Sequence, residues 1–260
     1  MSVGVKPGGS AVRRMTSAWL DPSALQWLVV VLAIAFATLV LWHHGALMLV
    51  FSSDPSGISL AIAGLFVVTS LHAGTRALWL AAEHQTLSTL RSALRQARAA
   101  DHRPAVTASE YGEIWVDGVQ SSPGMVVQHL ARLLRLPPAQ QGLQAALVEA
   151  LERRVMGAHQ VGWLLADLMV KLGLLGTVIG FIAMLGALTA LGSFDVAAVQ
   201  GLLLEMSTGM RIALFTTLSG LSAGVLLGLQ YHVVERSAEQ LLATAADLSA
   251  EIVSFAPGDS

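Results

Sequence analysis

Two apolar stretches carry the residues best placed to do chemistry: LGLLGTVIGFIAML, from Leu172 to Leu185, and ALFTTLSGLSAG, from Ala213 to Gly224. Each puts hydroxyls and glycines inside a membrane-length hydrophobic run, and neither contains a carboxylate. On a helix, residues three, four and seven apart share a face. Gly173, Thr177, Gly180 and Met184 form one such line; Ala213, Thr217, Gly220, Gly224 and Gly228 form another. Two roles fit these lines. Small residues at four-residue spacing let helices approach closely in lipid, and a threonine there can bond its own backbone four residues back. The alternative is a pore wall, whose hydroxyls hydrogen-bond a carboxylate or hydrate a passing cation. A hydroxyl titrates far above neutrality and cannot itself shuttle a proton at working rates, whereas a carboxylate in a partly dry site can be tuned to do so. The two runs offer Thr177, Thr189, Thr216, Thr217, Ser219 and Ser222 but no Asp or Glu in their cores, so an ion-carrying group has to come from elsewhere.

The elements that hold these residues are membrane spans. Of the 260 residues, 54% are hydrophobic and only 12% charged, and the mean hydropathy is +0.65. Those values lie outside the soluble globular range. The formal net charge of -2 says little about partners, and the absence of cysteine excludes disulfide and thiolate chemistry. Crossing a hydrocarbon core of about 30 Å takes roughly 20 helical residues. Four runs qualify: 25–51, 58–80, 161–192 and 211–231. The amino-terminal run is too long for a cleaved signal peptide and lacks a small-residue cleavage pattern. Between the spans lie an external turn at 52–57, a cytoplasmic helical domain at 81–160 and an external loop at 193–210; the ends are a cytoplasmic segment 1–24 and a cytoplasmic helix 232–260.

Basic residues set the orientation. Lys6, Arg13 and Arg14 precede the first span, and Arg91, Arg95, Arg98, Arg103, Arg132, Arg135, Arg153 and Arg154 lie between the second and third. The two external connections contain none up to Met210, which puts both termini in the cytoplasm. Arg76 and Lys171 fall near inner span ends, where they snorkel to headgroups. Arg211 is the exception, at the outer start of the fourth span; Glu205 and Arg211 either meet a partner or face water. His43 and His44 read as an interfacial pair, and Asp167 with Lys171 as an i,i+4 salt pair.

The cytoplasmic part is helical. Leu87, Leu90, Leu94 and Ala97 continue the second span as an amphipathic helix, and Val234, Ala238, Leu241, Ala245, Leu248, Ile252 and Phe255 follow a 4,3 heptad rhythm. These two helices are expected to pack together. The stretch 102–124, with Pro104, Gly112, Gly118, Pro123 and Gly124, reads as a loop with a short hairpin around Tyr111 to Val119, and Pro137 with Pro138 divides the helices that follow. The exposed arginine line Arg91, Arg95 and Arg98 is sufficiently explained by topology, with docking of an acidic cytoplasmic target or of anionic lipid as functional alternatives. No zinc spacing, Walker motif, nucleophile elbow or nucleic-acid fold is visible, so the chain reads as neither an enzyme nor a nucleic-acid binder.

LGLLGTVIGFIAML followed by GMRIALFTTLSGLSAG resembles the signature of the MotA/TolQ/ExbB proton-channel family, over about Lys171 to Tyr231. The four-span, all-α topology is most similar to the flagellar-stator branch. The resemblance implies a ring subunit of an ion-driven motor in the bacterial inner membrane: a homopentamer around a dimer of a single-span ExbD-, TolR- or MotB-like partner. That partner carries the membrane aspartate. It also implies that Thr177 and Thr217, with the doubled hydroxyl Thr216, lie on the ion path, and that Gly173, Gly180, Met184, Ala213, Gly220 and Gly224 line the pore or pack the partner. The transported ion is H+ by family frequency, with Na+ open, and no cofactor or metal is expected. The chain departs from the family at Leu226, where many members have proline, and at Tyr231–His232, where Tyr-Asn is commoner. A non-conducting scaffold and a small-solute secondary transporter are the alternatives, although inverted repeats and broken mid-membrane helices, the usual marks of a transporter, are not evident.

Overall fold

The computed structural model describes residues 22–100, 104–109, 113–117, 119–121, 124–135, 141–189 and 196–255. Lys6, Arg13, Arg14, Arg103, Tyr111, Gly112, Gly118, Pro123, Pro137, Pro138, the segment 190–195 and the side chains of Thr189 and Phe255 lie outside them. Among the described residues, six helices and a small sheet follow in order: α1 (Pro22–His43), α2 (Ala46–Ser52), α3 (Ile58–Ala99), β1 (Val106–Ala108), β2 (Ile114–Val116), β3 (Val119–Gln120), α4 (Met125–Leu134), α5 (Gln141–Thr189) and α6 (Val196–Phe255). Four of them, α1, α3, α5 and α6, are long and apolar enough to cross a membrane. The fold is all-α in its membrane part.

Three expectations need correcting. The first apolar run is not one helix: it breaks at His44–Gly45, where Gly45 adopts a φ of 72°. Glycine reaches this left-handed region at no steric cost, and the polar pair His43–His44 precedes it. The external loop expected at 193–210 is helical from Val196 onward. Its residues, VAAVQGLLLEMSTGM, hold no proline and favour helix. The cytoplasmic segment, expected mostly helical with a short hairpin around Tyr111 to Val119, holds three strands: β1, β2 and β3 form an antiparallel sheet in that order, pairing Thr107 with Trp115 and Val116 with Val119. The β2–β3 turn uses Asp117 at a φ of 48°, a conformation aspartate tolerates better than most residues.

The chain divides into two compact units, one of residues 1–27, 75–158 and 233–260 and the other of 28–74 and 159–232. In the first unit the two predicted stripes meet. Leu87, Leu90, Leu94 and Ala97 of α3 and Val234, Ala238, Leu241, Ala245, Leu248 and Ile252 of α6 are all buried in one core, with Ile114 and Val116 of the sheet and Val126, Val127 and Leu130 of α4. Arg76 does not snorkel: its guanidinium stacks 4.6 Å from the Trp79 ring and donates to the Val155 carbonyl at 3.0 Å. The short helix α4 has no side-chain cap of its own at Gly124. The buried Glu83 of α3 supplies one from a distance, accepting the Met125 and Val126 N–H groups at 2.7 and 3.4 Å. A negative group at a helix start satisfies orphan donors and complements the dipole. His129 of α4 lies half-buried in the same unit, and burial, helped by the positive charge of Arg132, lowers its pKa below 6.5.

In the second unit Asp54 caps α3, accepting the Ser59 N–H at 2.7 Å and the Ser56 N–H at 3.1 Å, as well as the Ser56 hydroxyl. Burial alone would raise its pKa, but these hydrogen bonds together hold it below 3.8. Further along α3, Ser70 donates to Gln230 of α6 at 2.8 Å, and His72 Nδ1 lies 2.8 Å from the Tyr231 hydroxyl.

Two outcomes follow for the first unit. Glu83→Ala removes a cap and lowers the thermal stability of the detergent-solubilised protein by about 1–2 kcal/mol, read as a fall in Tm. His129 is held neutral, so the unfolded chain binds the extra proton between the folded pKa and 6.5. Its stability contribution is complete above 6.5 and is lost as the pH falls. A His129→Gln variant therefore shows a flatter Tm profile across that acid window than the parent.

Candidate functional site

In the second unit α5 and α6 run against each other through their small residues. A Cβ on Gly180 would lie 2.5 Å from the Gly209 carbonyl oxygen, and one on Gly209 2.6 Å from that of Gly180. One on Gly173 would come within 3.0 Å of the Thr216 carbonyl, and one on Gly220 within 2.7 Å of the Met169 carbonyl. Gly224 meets Val170 and Ala166 in the same way, and Gly162 lies against the ring of Tyr231. Backbone is thus packed on backbone, the geometry that small-residue spacing permits in a membrane. Gly173, Gly180, Gly220 and Gly224 are therefore buried in a seam within one chain. The spacing also held a signal for two seam residues not singled out from sequence, since Gly209 lies four before Ala213 and Gly176 three after Gly173.

The three threonines separate by environment. Thr216 is fully buried. Its side chain fills the space beside Gly176, and its hydroxyl donates to the Ile212 and Ala213 carbonyls at 2.7 and 3.2 Å. That makes Thr216 a packing residue within the chain. Thr217 donates across the seam to the Gly173 carbonyl at 3.2 Å, tying α6 to α5. Thr177 is half-buried and donates to the Leu174 carbonyl of its own helix at 2.6 Å.

Thr177 lines a groove. This depression of about 540 Å³ is lined by Thr177, Val178, Gly180, Phe181, Met184, Gly209, Met210 and Ala213. Thr177, Gly180, Met184 and Ala213 were expected together; Phe181 and Met210 were not, because nothing separates them from the many apolar neighbours in sequence. The groove contains one hydroxyl and no ionisable group. With its proton engaged by Leu174, the Thr177 oxygen keeps lone pairs for an acceptor role, and it can donate outward only by leaving that carbonyl. The site can therefore receive a protonated carboxyl or help coordinate a cation without carrying a proton.

Other candidate residues are not among those lining this groove. Lys171 and Asp167 form an ion pair at 2.5 Å. His43 and His44 stack edge to face, with ring centroids 5.8 Å apart. Of the arginine line, Arg95 and Arg98 are exposed and Arg91 half-buried; Arg98 reaches Glu251 at 3.9 Å. Among the described residues no cluster of His, Asp and Glu could hold a metal ion.

The seam sets a sharp contrast between glycines. Gly180→Val forces backbones apart where a Cβ has no room, and the protein loses its folded yield on size-exclusion chromatography in detergent. Gly186→Ala, where nothing lies within 4 Å of the added carbon, is neutral or stabilising by up to about 1 kcal/mol through helix propensity.

Comparison with curated proteins and with solved structures yields no match. A family model does match, over residues 126–246, which takes in most of α4, the whole of α5 and α6 as far as Ala246, and so extends well beyond the Lys171–Tyr231 signature. Over those residues, which hold both helices of the glycine seam, the chain is similar to the MotA/TolQ/ExbB proton channel family.

Proposed function

We propose that this protein is the ring-forming subunit of a proton-driven motor in the bacterial inner membrane, with both termini in the cytoplasm. Copies of the chain, five in the family arrangement, surround two copies of a single-span partner, and the partner supplies the aspartate that carries the ion. The observation that carries this reading is the groove at Thr177: a single hydroxyl on an apolar, carboxylate-free wall, inside the matched family domain. A protonated partner carboxyl is tolerated along Val178, Phe181, Met184 and Met210 and can donate to the Thr177 oxygen. Once ionised it favours a site where hydroxyls or water can solvate it. Each protonation thus changes the relative affinity of two positions around the ring, and a bias of that kind is what drives a step. Thr217 acts by holding α6 to α5, and Arg91 and Arg95 offer a basic surface for an acidic cytoplasmic target.

A second reading, a non-conducting scaffold, draws support from the seam, since Gly173, Gly180, Gly220, Gly224, Thr216 and Thr217 all have packing roles within the chain. The two readings part at Thr177. Proton flux in vesicles carrying the complex falls by about two- to tenfold in Thr177→Val, because the hydrogen bond lost by the neutral carboxyl is worth about 0.5–1.5 kcal/mol. It survives in Thr177→Ser, while native mass spectrometry gives the same assembly for both. Undiminished flux in Thr177→Val refutes the path through this groove.

A further inference from the structure

Arg211 occupies an unexpected place. It is the one cation between Lys171 and Arg236, and Glu205 and Asp195 are the only carboxylates between Asp167 and Glu235. Because α6 begins at Val196, Arg211 lies 15 residues, or about 22 Å, inside the helix. Its neighbours Gly209 and Ala213 face Gly180 across the seam, and α5 continues beyond that level to Thr189. At 3.6 residues per turn Arg211 points about 160° away from Ala213, onto the side of α6 remote from the seam. There it is exposed among Leu204, Leu214 and Leu218, themselves 71%, 70% and 54% exposed. Glu205 is exposed too, and neither residue makes an ion pair among the described residues. A guanidinium on an apolar helix surface is costly unless a counter-charge meets it.

We propose that Arg211 of one copy pairs with Glu205 of the next copy, making this the charged contact between ring subunits; the inference rests on the ring reading above. The two residues sit about 120° apart on α6 with about 9 Å of rise between them, too far round the helix to meet on their own chain. Two different edges are what a head-to-tail contact uses: the Arg211 edge of each copy meets the Glu205 edge of its neighbour, and repetition closes a ring. The second copy is favoured as partner because it brings the complementary carboxylate on the same helix that presents the arginine.

The cysteine-free chain allows a clean test. Chains with Glu205→Cys are co-expressed with chains carrying Arg211→Cys, and membranes are treated with a short bis-maleimide matched to that rise. A cross-linked dimer forms in the mixture and in neither single-variant membrane. In parallel, Glu205→Arg and Arg211→Glu each lower the yield of intact ring in native mass spectrometry, and the double swap restores it. If the ring is intact but the mixture gives no dimer, or Arg211→Cys alone gives as much, the pairing is overturned while the ring stands; pairing of Arg211 with lipid phosphate gives this result. Failure of the double swap to restore the ring overturns it as well. A protein that is monomeric by native mass spectrometry overturns both the pairing and the ring.

Discussion

The close approach of α5 and α6 is the constraint on which the rest of this protein depends. Lipid offers no hydrophobic drive between helices, so association relies on packing contact and on the few hydrogen bonds available. Gly173, Gly180, Gly209 and Gly220 bring the two backbones so near that an added Cβ would fall within 3.0 Å of the opposing main chain. The Thr217 hydroxyl adds a cross-seam hydrogen bond. With the small faces turned inward, the large side chains Leu174, Val178, Phe181, Leu214 and Leu218 are left outward. They form the surface that lipid or another subunit has to cover.

That packing also decides how the hydroxyls divide their work. All three threonines donate to backbone carbonyls, as threonine commonly does within an apolar helix. Their surroundings then separate them. Thr216 packs on Gly176, Thr217 bonds the α5 backbone, and Thr177 lines a groove. In the proposed motor this wall accepts and solvates, with the titrating group supplied by the proposed partner. The same economy appears in the other unit, where one buried carboxylate, Glu83, substitutes for the missing local cap of α4 and ties that helix to α3.

Much of this was legible because periodicity survives folding. The heptad line from Val234 to Ile252 and the stripe from Leu87 to Ala97 are buried against each other, since each is an apolar stripe on a helix whose other faces are polar. The glycine lines announced close packing through their spacing. Features fixed by a single backbone angle or a distant residue were less legible: the break at Gly45 follows the His43–His44 pair inside an otherwise apolar run, and the loop before Arg211 became helix because the largely apolar residues there join α6. The reach of Arg76 to Val155 depends on a neighbour 79 positions away.

Composition, periodicity and the distribution of charge by themselves determined the membrane class, the long helices and the absence of a carboxylate from Leu172–Leu185 and Ala213–Gly224. These are properties of residue type and local spacing, which no tertiary arrangement can alter. Only the tertiary structure decided which small residues face each other and which hydroxyl stays accessible. Thr177, Thr216 and Thr217 are chemically alike, and Arg211 is an ordinary arginine in the sequence. What distinguishes them is the side of the seam on which each falls, and that is set when two particular helix faces, out of several similar ones, come into contact.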